Sequence, residues 1–355
     1  MAKSGRVTRR AFLGTCAASI PAAGCAVETR EGRSTSPSQT PEMCRCTYTY
    51  KKVGDLSIKA DVHWVDDGVT RPVLVWLHGG ALMVGSRRTI DSQVDKAVLK
   101  AGYTIVSIDY RLAPERKLPA LIEDVEDAFQ WVYSEGPDLF NADVSRLAVA
   151  GASAGGYLTL TAGFRVEPRP AALVSIYGYG DLIGDWYSQP SPHPRHHRIV
   201  MSREEAFQQV SGPAIADTRD RKGNGGAFYV HCRQHGIWPK EISGWDPHTE
   251  AEKFDPYMAV KKVTPEYPPT LLLHGTEDID VPYQQSVMMA RELEKHGVEH
   301  RLISLQRRGA RLRRSRSGGH CGSLRTDRAL PEPAHEGMIS ATTCNCEREH
   351  LAFAA

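Results

Sequence analysis

The stretch VSRLAVAGASAGGYLTLTAG, residues 144–163, decides the fold. An apolar run, LAVA, stops at a cluster of small residues, and a helical pattern begins directly after it. This is strand, tight turn, helix. Gly151 to Gly155 matches GxSxG, a pattern that also occurs in ordinary turns, but the strand before it and the helix after it are the context the chemistry needs. A turn this sharp forces its serine into a strained backbone that exposes Oγ, and small neighbours relieve the crowding. Ser153 is therefore the candidate nucleophile. The N–H of Ala154, at the helix start, faces the place where negative charge would develop.

Outward from this turn the chain alternates strands with helices. YTYKKVGDLSIKADVHWV (48–65) has the period of two of a hairpin. PVLVWLHGG and YTIVSIDYRL are continuous apolar runs ending in glycine or polar residues, as strands buried on both faces do. SQVDKAVLKAG and LPALIEDVEDAFQWVYSEG carry helical spacing. AALVSIYGYGDL, PPTLLLHGTED and EHRLISL read as further strands, with SVMMARELEKHG as a helix before the last. The alternation predicts an α/β fold with a mostly parallel, doubly wound sheet. Residues 183–255 break the rhythm, being rich in Trp, Tyr, His, Pro and Gly without apolar period. They read as an inserted cap rather than a long surface loop, because structureless loops of that length are uncommon inside compact domains.

HGGALMVG (78–85) follows the strand VLVWL. Its glycines let backbone amides approach a carbonyl oxygen, and Gly80 and Ala81 are the expected donors of an oxyanion hole. Ala81 stands where the commoner HGGG run has its last glycine; since the amide donates, this substitution is expected to cost little. His78 reads as a loop-fixing partner rather than a base.

HGGA, DYRLAPERKLPALIEDVEDAFQW and GASAGG, in that order and at these separations, resemble the hormone-sensitive-lipase-like and related esterases of the α/β-hydrolase superfamily over residues 46–305. The resemblance implies an α/β-hydrolase fold of eight mostly parallel strands with a cap, and hydrolysis of carboxylic esters without metal or cofactor. It assigns Asp109, Arg111 and Glu115 to holding the loop under the site. LLLHGTEDIDVPY resembles the family's acid-bearing turn, which puts the acid at Asp278, with Glu277 and Asp280 as neighbours to be told apart from it. The fold's chain order of Ser, Asp, His then requires a histidine after LISL. There Gln306–Arg316 brings arginines instead of a Gly-rich turn, and the first histidine is His320, in SGGHCG. Two readings of His320 stay open: a base on a longer loop, or part of a tail out of register with the fold, as a shifted reading frame in GC-rich DNA would produce.

The net charge of +2 is unevenly spread: residues 301–328 carry +8 and residues 1–30 carry +4, leaving the rest at −10. A nucleic-acid binder needs its basic residues across a folded face, so no nucleic-acid partner is expected. TRRAFLGTCAASIPAAGC resembles a twin-arginine export signal, and AAGC (22–25) resembles a lipoprotein cleavage box that would lipidate Cys25 and attach the protein to a membrane. The CxC pairs Cys44/Cys46 and Cys344/Cys346 lack the spacing and histidines of a closed zinc site, so no metal is expected. The predicted order is export signal at 1–25, linker at 26–45, hydrolase domain at 46–305 and an atypical Arg-rich tail at 306–355. The expected partner is a small-molecule ester, met outside the cytoplasm; the sequence sets no oligomeric state. A ligand-binding protein that has lost its base, and a peptidase or amidase on the same fold, are the competing functions.

Overall fold

The computed structural model describes residues 43–306. The leader with Cys25, most of the linker, and the tail from 307 on with His320 lie outside the described residues. β1 (Met43–Val53) and β2 (Leu56–Val65) form an antiparallel hairpin. β3 (Arg71–Leu77), α1 (Ser92–Lys100), β4 (Thr104–Ile108), α2 (Leu118–Phe140), β5 (Ala142–Ala152), α3 (Ala154–Arg165) and β6 (Ala172–Ile176) follow. An insertion then carries the short helices α4 (Asp185–Ser188), α5 (Arg203–Gln208), α6 (Gly226–His235) and α7 (Trp238–Ser243), after which β7 (Thr270–Gly275), α8 (Gln284–Lys295) and β8 (His300–Leu305) complete the sheet.

The eight strands lie in the order β1-β2-β4-β3-β5-β6-β7-β8, antiparallel from β1 to β4 and parallel from there on. This is the α/β-hydrolase fold. β3 is flanked by β4 on one side and β5 on the other, so the chain leaves the carboxyl ends of these strands in opposite directions and opens a crevice between them. Side chains alternate across the sheet. Val73, Val75 and Leu77 of β3 join the large core under α2, α3 and the insertion, while Leu74 and Trp76 pack on the other face with Val94, Val98 and Leu99 of α1. Both faces are covered, which is why β3 reads as an unbroken apolar run.

Two boundaries differ from the sequence reading. β1 starts at Met43, inside the predicted linker at 26–45, because Met43 pairs with Val65. An edge strand is held by its backbone ladder, so it tolerates the exposed Met43 and Arg45 that disguised it. The insertion spans 177–269 rather than 183–255, since the sheet leaves at Ile176 and resumes at Thr270. Tyr179, Leu182, Met258 and Ala259, which lie outside or at the edges of the predicted segment, are all core residues.

Candidate active site

Ser153 sits between β5 and α3 with φ 56° and ψ −118°. A non-glycine residue held there is strained, and the surroundings enforce it. Its N–H donates to the Ile176 carbonyl (2.9 Å) and its carbonyl accepts from Tyr157 N–H (2.9 Å), so strand and helix grip both sides of the turn. The flanking glycines are required by close approach. A Cβ on Gly155 would stand 1.9 Å from the Leu77 carbonyl oxygen, and one on Gly151 2.4 Å from that of Gly155. The serine remains half-buried and lines a cleft of about 710 Å³. Ala154 is the first residue of α3, where helix geometry leaves the N–H without an intrahelical acceptor.

The loop after β3 stands beside it. A Cβ on Gly79 would be 3.4 Å from Ser153 Cβ. The Gly80 carbonyl accepts from both Met83 and Val84 N–H (2.9 Å each), Ala81 O from the Trp238 indole (3.0 Å), Leu82 O from Ala113 N–H (2.8 Å) and Met83 O from the Arg221 guanidinium (2.6 Å). With its carbonyls engaged by the protein, the loop presents Gly80 and Ala81 to the same cleft as Ser153. The expectation that Ala81 costs little is corrected: Ala81 and Leu82 have φ of 54° and 63°. That is left-handed backbone, about 1–2 kcal/mol uphill for each side-chain-bearing residue.

His78 is fully buried, stacked on Tyr110 at 4.2 Å, and bonded through Nδ1 to Gly79 O at 2.8 Å. Burial pushes its pKa down to about 4, so it is a neutral prop for the loop. Asp109, Arg111 and Glu115 all hold structure. Asp109 accepts from the Arg87 backbone and guanidinium, Arg111 pairs with Asp124, and Glu115 makes a two-pronged ion pair with Arg221 (2.6 Å each).

Asp278 lies in the turn after β7 with its side chain buried. Oδ1 accepts from the N–H groups of Asp280 (2.8 Å) and Val281 (3.1 Å). Oδ2 is buried and finds no hydrogen-bond donor among the described residues. Among the described residues the imidazole of His274 comes near, with Nε2 3.7 Å away, but that nitrogen donates to Val281 O (3.0 Å) and Nδ1 meets Ser286 Oγ (2.7 Å). Burial holds His274 near pKa 4 and raises that of Asp278. A buried carboxylate oxygen without a donor is costly, and it marks the place where a ring N–H would fit. Glu277 is exposed, and Asp280 is fully engaged by neighbours described below.

The cleft walls include residues the sequence did not single out: Tyr177, Arg195, Tyr229, Ile279 and Val281. Tyr177 alone carried a local sign, since it follows an apolar strand directly, and it takes a positive φ of 38° there. Within the cap Trp186, Tyr187 and Trp238 stack on one another at 3.7 and 3.8 Å, and Tyr187 and Trp238 are fully buried. Among the described residues no three His, Cys, Asp or Glu side chains come together as a metal site.

Comparison with known proteins agrees with this fold. The α/β hydrolase fold family matches residues 74–223, and the prolyl oligopeptidase family matches residues 228–320. The chain is 27% identical over 303 residues to the non-reducing polyketide synthase adrD of Penicillium rubens, which covers 71% of this chain but 12% of that protein. It is 43% identical over 121 residues to the esterase LipI of Mycobacterium tuberculosis, covering 34% of this chain and 38% of LipI. The chain thus spans only a small part of the curated relatives it matches. Among solved structures, an esterase of Pyrobaculum calidifontis superposes with a TM-score of 0.54 at 24% identity, covering 76% of both chains. An acetyl ester-xyloside bifunctional hydrolase of Caldicellulosiruptor lactoaceticus gives 0.53 at 20% identity, covering 73% of this chain and 81% of that one. With family matches running from β3 to residue 320 and the eight-stranded, mostly parallel sheet in place, the chain is a protein of the α/β-hydrolase fold.

Proposed function

We propose that the protein hydrolyses carboxylic esters through an acyl-enzyme on Ser153. The observation that carries this reading is the strained, half-buried Ser153 at the cleft floor beside the Gly80–Ala81 loop. Ser153 Oγ attacks the ester carbonyl carbon while its proton passes to a histidine. The negative charge on the former carbonyl oxygen is met by the N–H groups of Gly80, Ala81 and Ala154. Collapse of the tetrahedral species breaks the bond to the alcohol oxygen, which leaves with the proton from the histidine. Water then attacks the acyl-serine by the same route in reverse and releases the acid. Asp278 orients the histidine and stabilises its charged form, and its Oδ2, without a donor among the described residues, supports that role. The base is His320, the first histidine after β8; the prolyl oligopeptidase family match running to residue 320 favours keeping it in register with the fold.

The test combines fluorophosphonate labelling with p-nitrophenyl acetate turnover. Wild type should label on Ser153, and Ser153→Ala should lose both labelling and turnover. His320→Ala should fall several powers of ten; turnover matching wild type would make His320 the wrong residue. A folded wild-type protein that takes no label on Ser153 would end the reading. The prolyl oligopeptidase family match favours a second reading, amide cleavage, which turnover of p-nitroanilides exceeding that of matched esters would support.

A further inference from the structure

Asp280 lies two residues beyond Asp278, on the cleft wall, and every polar group it owns is used. Arg195 donates to Oδ2 through its guanidinium (2.7 Å). His196 Nε2 lies 2.8 Å from Oδ1 and must be the donor, since a carboxylate only accepts. The Asp280 carbonyl takes a bond from the Arg233 guanidinium (3.0 Å). Its N–H donates to Asp278 Oδ1 (2.8 Å).

The first three partners all come from the insertion, two from the single turn at Pro194–His197 and one from α6. These two segments are themselves tied together. Ser191 N–H donates to Arg233 O (2.8 Å), His196 Nδ1 meets Ser191 Oγ (2.7 Å), and Gln234 Nε2 donates to His196 O (2.8 Å). Arg233 is 3% exposed, lies over the Tyr187 and Tyr229 rings, and bonds no carboxylate; the Asp280 carbonyl and the Tyr229 hydroxyl are its acceptors among the described residues. Burial works against the Asp280 charge, but the His196 bond and the Arg195 and His196 charges prevail and hold its carboxyl below the ordinary value.

We propose that Asp280 is a positioning residue that couples the cap to the catalytic acid. Three cap groups fix its backbone and carboxylate, and its N–H in turn fixes the Asp278 carboxylate in the rotation that leaves Oδ2 for the histidine. An acid free to rotate loses the preorganisation that speeds the chemical step, so the loss belongs in kcat rather than in substrate binding. This inference rests on Asp278 being the acid of an active esterase.

The test is steady-state turnover of p-nitrophenyl acetate by the full chain carrying Asp280→Asn, with thermal melting as the check of folding. An asparagine turns an N–H₂ towards either Arg195 or His196, breaking one side of the clamp while leaving volume nearly unchanged. The expected result is a fall in kcat of roughly 10- to 100-fold with KM moved less than about threefold. Arg195→Gln, at a half-exposed cap residue, should lower kcat by a smaller factor, and the double variant should be no slower than Asp280→Asn alone, because both act through one clamp. A folded Asp280→Asn with kcat within twofold of wild type overturns the proposal, as does a change confined to KM or to melting. Should Asp280→Asn fail to fold, unchanged kcat in Arg195→Gln overturns it equally, and a fall in kcat at constant KM supports it. An inactive wild type would instead bring down the esterase reading itself.

Discussion

A carboxylate oxygen buried without a donor among the described residues singles out Asp278 as the proposed acid, for Glu277 beside it is exposed and Asp280 is saturated. Asp278→Asn keeps the shape and the Oδ1 acceptor but can no longer take a ring N–H and stabilise its charge in the same way. Turnover should fall by about 10³–10⁴-fold with the melting temperature little changed. A loss under tenfold in p-nitrophenyl acetate assays would move the acid elsewhere. At this scale the sequence was informative where neighbours along the chain set the geometry, as at Ser153 and Gly80. It was silent where distant segments meet: Arg195 and Tyr229 reach the cleft only because the insertion folds back against the loop after β3, and no local pattern encodes that return. Asp278 was proposed through resemblance, since three acidic residues in four positions carry no intrinsic sign of which is buried.

The turn at Ser153 is an element built on absent side chains. β3, β5 and α3 approach so closely that Gly155→Ala would drive a methyl into the Leu77 carbonyl, which is backbone and has no room to yield. The variant should lose roughly 3 kcal/mol or more, or fail to fold, as read from its urea midpoint. A midpoint within about 0.5 kcal/mol of wild type would show that α3 can slide away. Elements of this parallel sheet were readable because their apolar runs are continuous: PVLVWL is buried on both faces and appears so in the text. The cap helices were not. Spans of four to ten residues are too short to display a 3.6-residue period, and α6 and α7 are closed by left-handed Gly236 and Gly244 rather than by any change in hydrophobicity.

Acid should loosen the whole molecule. His78 and His274 are buried and neutral, with pKa values of about 4 against roughly 6.5 in an unfolded chain. Between these values the unfolded state binds more protons, so stability present above pH 6.5 drains away as pH falls toward 4, by up to about 3 kcal/mol for each histidine. Asp109 acts in the opposite sense: burial lifts its carboxyl to about 6, against the Arg87 bonds, so its folded form takes up a proton earlier and returns part of the loss. The net expectation is a drop of roughly 3 kcal/mol from pH 7 to pH 4, measured by urea titration at several pH values. Stability that is flat or rising over that interval would contradict it.

The indole of Trp238 and the guanidinium of Arg221, both carried by the insertion, hold the Ala81 and Met83 carbonyls of the glycine loop. In the proposed mechanism the insertion therefore helps to hold the oxyanion loop as well as to wall the cleft. Grafting a relative's lid onto this sheet to change selectivity would disarm the site unless those two anchors travelled with it.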